Sequence, residues 1–437
     1  MISEKIAFHT LGCKVNTYET EAVKELFERA GYEVVDFEEK ADIYVVNTCS
    51  VTNIADRKSR QMLHKAKQIN NDAIVIAMGC YVQSSKDTLL KDGLIDIIVG
   101  NDMKSALVDI VKAYKAGDKK NSYIDDIMTK KVYEPLRITK TAETCRAFIK
   151  VCDGCNMYCS YCIIPYTRGP VRSRALEDCV AEVEKLAASG FKEVVLSGIH
   201  VSSYGLDLKS GYRLIDLIEA IEKIDGIERI RLGSFEPRMV DDDFLARLSK
   251  CKKVCPHFHL SLQSGCDETL KRMKRHYDTK RFMEIASNIR ASIPDAMLTT
   301  DVIVGFPGET DEEFKETVKF LEDVKFFEMH VFKYSRRSGT VADKMPDQID
   351  GKTKNERSEV LIKLDEKNHE DYYREYEGRT MKVLIEEKCV VKGEKYVVGH
   401  TDNYIKVYIK SDRYLINQIV DVKLVKAYDK RSMLGVL

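Results

Sequence analysis

The chain has 437 residues, with 70 Lys plus Arg balanced by 70 Asp plus Glu. That length allows two or three domains with large cores, and the neutral total leaves nucleic acid open as a partner, because local patches decide such binding. No apolar run reaches the length of a membrane span and the first residues lack a signal-peptide pattern, so no membrane partner and a cytoplasmic location are expected, where the 13 Cys point to metal or catalysis rather than disulfides.

Taken in chain order, residues 4–115 alternate short apolar runs with helical spacing. Strands are predicted at 6–11, 43–47, 74–78 and 95–99, and helices at 17–30, 54–69 and 84–92. Such βα alternation makes a mostly parallel sheet with helices on its faces. Cys13, Cys49 and Cys80 each follow the end of a predicted strand by one or two residues. In a parallel sheet those positions share one edge, where ligands bind. Three thiols on that edge suit a three-Cys metal centre; the alternative is three small, buried, inert Cys at strand–helix junctions. Gly12 and Gly79 beside them allow close backbone approach. Residues 116–140 are polar and irregular and read as a linker.

The alternation restarts in residues 141–371. Strands are predicted at 147–151, 193–197, 229–232, 257–262, 298–304 and 329–334, with amphipathic helices such as 175–188 and 311–324 between them. Six such units suggest a barrel or partial barrel of parallel strands, with chemistry at their carboxyl ends. After the first strand comes Cys155-x3-Cys159-x2-Cys162. Three thiolates so close hold three irons of a cubic 4Fe-4S cluster and leave the fourth open to an exogenous molecule, whereas most electron-transfer clusters are closed by four Cys. Cys152, three residues upstream, keeps a closed four-Cys zinc site or cluster in play.

The other strand ends carry Gly198, then Ser234 and Glu236, then Gln263 and Ser264, then the stretch 301–309. Together they make a coherent pocket lining of glycine, hydroxyl, amide and carboxylate groups. Three basic runs surround the same rim: Arg168, Arg172 and Arg174; Lys271, Arg272, Lys274 and Arg275; Lys333, Arg336 and Arg337. One run alone is an ordinary solvated face, but three around one rim favour a polyanionic substrate. Cys145, Cys152, Cys179, Cys251, Cys255, Cys266 and Cys389 read as structural.

Residues 372–437 turn β-rich, with runs at 381–385, 396–399, 404–409 and 419–425, and read as a small all-β domain. This segment holds 13 Lys/Arg against 9 Asp/Glu and eight of the 22 Tyr. Basic residues interleaved with aromatics suit RNA, through phosphate contacts and base stacking. The alternative is a Tyr-rich barrel core with an ordinary surface.

The Cys155 run, the block Asn47-Thr48-Cys49-Ser50-Val51-Thr52, the block Gln263-Ser264-Gly265-Cys266-Asp267, residues 301–310 and residues 334–340 together resemble the radical S-adenosylmethionine (SAM) methylthiotransferases over nearly the whole chain. The blocks 11–21 and 53–61 look like the branch that acts on threonylcarbamoyladenosine in tRNA. Cys152 departs from the family, where that position is often polar. The resemblance implies a multidomain α/β fold: a flavodoxin-like N-terminal domain (1–115), a linker (116–140), a partial parallel radical-SAM barrel (141–371) and a small β-barrel TRAM domain (372–437). It implies two 4Fe-4S clusters, one on Cys13, Cys49 and Cys80 and one on Cys155, Cys159 and Cys162. SAM is expected twice per turnover, its site lined by Gly198, Ser234, Glu236, Gln263, Ser264 and Arg275.

The implied chemistry is reductive cleavage of SAM at the second cluster, hydrogen abstraction from C2 of the modified adenine beside the anticodon, and delivery of a sulfur from the first cluster that a second SAM methylates. Implied partners are the tRNA anticodon stem-loop, a sulfur donor and a one-electron reductant, with Arg168 or Arg275 reading the substrate carboxylate. The alternatives are the same chemistry on isopentenyladenosine in tRNA or on an aspartate of a ribosomal protein, or a non-catalytic RNA-binding iron–sulfur or zinc sensor.

Overall fold

Apolar β-branched runs between helical segments build a parallel sheet first. A computed structural model describes residues 3–139 and 145–437; the expected junction at 140–141 between linker and barrel lies outside the described residues. The first elements are β1 (Lys5–Thr10), α1 (Lys14–Arg29), β2 (Glu33–Val35), β3 (Ile43–Thr48), α2 (Asn53–Ile69), β4 (Ile74–Gly79), α3 (Cys80–Ser84), α4 (Lys86–Leu90), β5 (Ile97–Val99), α5 (Leu107–Lys115) and β6 (Ser122–Tyr123). The sheet order is β2-β1-β3-β4-β5-β6, parallel throughout. Central β3 is buried at every position, as a strand covered on both faces must be. Thr52 starts α2 by accepting from the Ala55 N–H, a standard N-cap.

The segment read as a linker does more than tether. It supplies edge strand β6, and its Leu136 and Ile138 are buried in the main core. Tyr133 also donates to the Lys150 carbonyl at 2.7 Å.

The middle of the chain contains β7 (Arg146–Asp153), α6 (Ile164–Arg168), β8 (Arg172–Ser173), α7 (Leu176–Ala188), β9 (Glu193–Gly198), α8 (Leu214–Glu222), β10 (Arg229–Leu232), α9 (Asp242–Leu248), β11 (His257–His259), α10 (Asp267–Arg272), α11 (Thr279–Ser292), β12 (Met297–Val304), α12 (Asp311–Val324) and β13 (Glu328–Lys333). Two sheets, β10-β9-β7-β8 and β11-β12-β13, meet through single parallel bridges at Ile230–Val254 and Phe235–Leu260. The six parallel strands therefore follow one another around an open, partial barrel, with short antiparallel β8 at one edge. The predicted strand 257–262 stops early. At Gln263, φ is +74°, and only a single bridge to Val302 continues the ladder.

Helix α13 (Gly351–Tyr376) leads to β14 (Thr380–Val391), β15 (Glu394–Thr401), β16 (Lys406–Lys410), β17 (Ile419–Asp429) and β18 (Ser432–Val436), a closed barrel ordered β14-β15-β16-β18-β17. Its core is aliphatic, including Val383, Ile385, Val397, Val407, Ile409, Val422 and Leu424. This replaces the Tyr-rich core held open above: Tyr408 stacks on Tyr428 at 4.6 Å, and Tyr414 is exposed. The small barrel seats on the base of the large one. Arg229 donates to the His400 and Lys382 carbonyls and Arg231 to the Asp402 carbonyl, while the Arg231 guanidinium lies 4.7 Å from the Tyr404 ring centre. Among the described residues no helix is long and apolar enough to cross a membrane.

Candidate active site

The parallel register brings the first three cysteines to one edge. Thr10 pairs with Asn47, and Thr48 with Gly79, so the loops after β1, β3 and β4 are neighbours. Cys13 caps α1, Cys49 follows β3, and Cys80 opens α3. Close approach forces glycine here. Gly12 has φ +107°, and a Cβ on it would stand 2.9 Å from the Cys49 Cβ. Gly79 has φ +103°, and a Cβ would meet the Asn47 amide oxygen at 2.6 Å. Asn16 staples the loops by donating to the Leu11 and Thr48 carbonyls.

The second triad sits in the loop from β7 to α6. Cys155 N–H donates to the Gly169 carbonyl, Ser160 N–H and Oγ donate to the Met273 and Arg272 carbonyls, and Ala342 N–H donates to the Ser160 carbonyl. The loop is thus held from both sides of the barrel. Met157, Tyr161, Ile164 and Ile199 form an apolar setting around Cys155, Cys159 and Cys162. Burial pushes the Cys155 thiol up to about 11 and Cys162 to about 12, and it raises Cys49 in the first triad to about 11. Ligation at these positions must displace protons.

Each triad has one arginine on a sulfur, its side chain no more than 5% exposed, and each arginine is held by a buried glutamate. Arg275 donates to Cys159 Sγ at 3.2 Å and to Glu236 at 2.6 Å. Arg168, fully buried, donates to Cys80 Sγ at 3.2 Å, to Glu19 at 2.6 Å and to Asn16 Oδ1 at 2.7 Å. Arg168 comes from α6, directly after the second triad, yet reaches a cysteine of the first. Burial alone would raise Glu19, but Arg168, Lys104 and Lys150 outweigh it and hold that carboxyl well below its usual range. A second tie closes the opposite side: Arg337 donates to Asn53, to Asp56 and to Ser50, the residue after Cys49.

These contacts remove part of the expected basic rim and leave Lys271, Lys274, Lys333 and Arg336 exposed. Arg168, Arg172 and Arg174 are buried; Arg174 pairs with Glu182, Arg272 with Glu313 and Arg337 with Asp56. Arg168 and Arg275 likewise have internal carboxylate partners, so neither is placed to read a substrate carboxylate. Of the pocket residues expected from sequence, Glu236 and Arg275 meet at Cys159, and Gln263 lines a cavity beside Cys162. The Ser264 hydroxyl faces Thr317 at 3.3 Å, Ser234 is exposed, and Gly198 abuts Cys152, where a Cβ would lie 2.5 Å from Sγ. Sequence reading missed Asn16, Glu19 and Asn101, the last donating to Cys80 Sγ at 3.6 Å and to the Thr167 carbonyl at 2.8 Å; these roles depend on partners far away in the chain, and none carries a local spacing signal.

The donor sets fit iron–sulfur clusters better than single ions. A tetrahedral zinc with Zn–S near 2.3 Å needs sulfurs about 3.8 Å apart. Among the described residues, neither thiol triad has its ligand atoms mutually within 4.8 Å. Cys152 does not close the second set, because its thiol faces the His200 carbonyl at 3.5 Å and packs in the main core. Between the two Cys loops lies a cavity of about 260 Å³. Val51 and Thr52 line it from the Cys49 loop, Tyr161 to Ile164 from the second triad, and Asp301, Phe332 and Lys333 from the barrel.

Three family models match: Uncharacterized protein family UPF0004 over residues 5–100, Radical SAM superfamily over 149–321 and TRAM domain over 374–433. Among solved structures, the radical S-adenosylmethionine methyltransferase TsrM from Kitasatospora setae aligns with a TM-score of 0.57 at 14% identity, covering 76% of this chain and 72% of that one. The cobalamin-dependent radical enzyme OxsB aligns at 0.54 and 14%, covering 85% and 56%. These two describe the fold alone.

Curated relatives are closer. The threonylcarbamoyladenosine tRNA methylthiotransferase MtaB of Bacillus subtilis is 41% identical over 97% of this chain and 94% of its own length. Its counterpart in Aquifex aeolicus is 41% identical over 92% and 98%. A tRNA-2-methylthio-N(6)-dimethylallyladenosine synthase of Thermoanaerobacter is 36% identical over 95% and 89%. Full-length similarity of this order, to relatives matched over nearly their whole length, means that the chain belongs to the MtaB-like family of radical SAM methylthiotransferases.

Proposed function

We propose that this chain converts the C2–H of N6-threonylcarbamoyladenosine in tRNA, beside the anticodon, into C2–SCH3. The observation that carries the reading is the 41% identity, over almost the full length, to two methylthiotransferases named for that nucleoside. Cys155, Cys159 and Cys162 hold one 4Fe-4S cluster and Cys13, Cys49 and Cys80 a second. When bound, the clusters and SAM supply one-electron cleavage of SAM and delivery of sulfur, for which an external reductant and sulfur donor are needed.

The chain's own residues make the setting for this. Glu236 fixes Arg275 against Cys159, and Glu19 fixes Arg168 against Cys80, so one thiolate of each triad has a positive charge beside it. Val51, Ile163, Ile164 and Phe332 give the cavity apolar walls with few groups to hold water near a reactive radical. The small C-terminal barrel presents exposed Lys and Tyr suited to RNA phosphates and unstacked bases.

Mass spectrometry of tRNA nucleosides from cells with and without the gene tests the assignment. Loss of 2-methylthio-threonylcarbamoyladenosine, restored by the gene, is expected. Loss of 2-methylthio-dimethylallyladenosine instead would transfer the chain to the other substrate. Purified, reconstituted chain that forms no 5′-deoxyadenosine from SAM would favour a sensor over an enzyme.

A further inference from the structure

The inner face of the partial barrel carries a donor set apart from both thiol triads. Asp301 and His330 pair directly across β12 and β13. His259 on β11 pairs with Thr299, two residues before Asp301 and on the same face. Three adjacent strands thus direct two imidazoles and a carboxylate to one spot. One ligand atom from each lies within 4.8 Å of the other two, and no other set of His, Cys, Asp or Glu among the described residues does so.

The local bonding resembles a metal site rather than a packed core. His259 Nε2 stands 3.3 Å from an Asp301 oxygen, while His259 Nδ1 is 3.0 Å from Thr299 Oγ1. Metal-bound imidazoles are oriented in this way by a hydrogen bond at the second nitrogen. The His259 and His330 rings are nearly parallel, 5.6 Å between centres. His330 is exposed although it shares the inward face with cavity-lining Phe332, two residues on.

We propose that His259, Asp301 and His330 form a metal centre separate from both thiol triads, taking one divalent first-row transition cation. Two imidazoles and a carboxylate suit Zn2+, Fe2+ or Mn2+, and with no thiolate the set does not compete for cluster iron. Three protein ligands leave at least one position open. Asp301 lines the cavity beside Cys162, so that position faces the cavity, where water or an oxygen of its occupant completes the shell. One carboxylate against a dication leaves net positive charge there, which favours an anionic oxygen.

The test uses the full-length, cluster-loaded chain, cleared of loosely held metal by a weak chelator and titrated anaerobically with Zn2+ or Co2+. Bound metal is counted by mass spectrometry beside iron and sulfide. One cation per chain beyond the cluster iron is expected, with Co2+ bands of nitrogen and oxygen ligation and no thiolate charge transfer. His330→Ala and Asp301→Asn should each weaken binding by about 10-fold or more with iron and sulfide unchanged. Because His330 is exposed, its replacement does not threaten the fold. No extra cation, retention in both variants, or a thiolate–cobalt band would overturn the proposal. Each outcome reads the same whichever nucleoside the enzyme modifies.

Discussion

Arg168 shows how much a single residue can join. It is fully buried, bonded to Cys80 and Glu19, and 3.2 Å from Asp153. Removing one member of a buried charge network leaves the others uncompensated, typically at about 3–5 kcal/mol. Arg168→Met should therefore lower the urea midpoint of the cluster-free chain. It should also reduce iron loading of the first triad, measured in a chain whose Cys155, Cys159 and Cys162 are Ala. Normal loading with reduced stability would limit Arg168 to bracing the fold. Gly12→Ala acts on the same triad from the other side: its backbone is left-handed and its Cβ would collide with Cys49. We expect a loss of about 1–3 kcal/mol and, in the same single-triad chain, little iron. The six cysteines of the two triads are legible in the sequence because strand ends and short spacing mark them. Arg168 is not, because Glu19 lies 149 residues away and nothing local distinguishes a buried arginine from a surface one.

Elements show the same contrast. Strands β3, β4 and β12 have runs long enough to carry a pattern, whereas β2, β6 and β8, at three, two and two residues, are too short for any period and form only because a neighbour offers its edge. Helix α13 packs along β13, where the Met329 N–H donates to Asp365. Burial raises Asp365 to about 6 despite Arg431, whose half-exposed charge is partly hydrated. Burial and Arg431 lower His369, one turn on, to about 4. The two act in opposite directions.

Asp365 has a folded pKa above its unfolded value of about 3.9. Its stabilisation is full below that value and is lost as pH rises through about 6. His369 has a folded pKa below its unfolded value of about 6.5, so its stabilisation is full above that and is lost as pH falls through about 4. Each is worth at most about 3 kcal/mol, and between them they flatten the profile. Thermal scans from acid to neutral pH should show His369→Gln losing stability as pH rises and Asp365→Asn losing it as pH falls. Parallel profiles for both variants and the parent chain would remove the pair from the pH response.

At the scale of the whole molecule, the sheet's cysteine edge and the barrel's cysteine loop are clamped together at two places, by Arg168 inside and by Arg337 at the rim. The cavity between them takes its walls from both. The alternation of strands and helices announced the two α/β units, and the change to β-rich runs announced the third. How the units dock did not follow, because docking is made by buried pairs between distant residues. The proposed division of labour between the triads can be tested on this arrangement. Cys13 is exposed, and its removal takes no side chain from a packed core, so the fold and the second triad should survive Cys13→Ala. On the proposed assignment, SAM cleavage needs Cys155, Cys159 and Cys162 and not the first triad. The variant should therefore still release 5′-deoxyadenosine from SAM while forming no methylthiolated nucleoside. Iron per chain should fall by about half if each triad carries one cube of four irons. Loss of cleavage together with methylthiolation, at intact iron on the second triad, would mean that the two centres do not act separately.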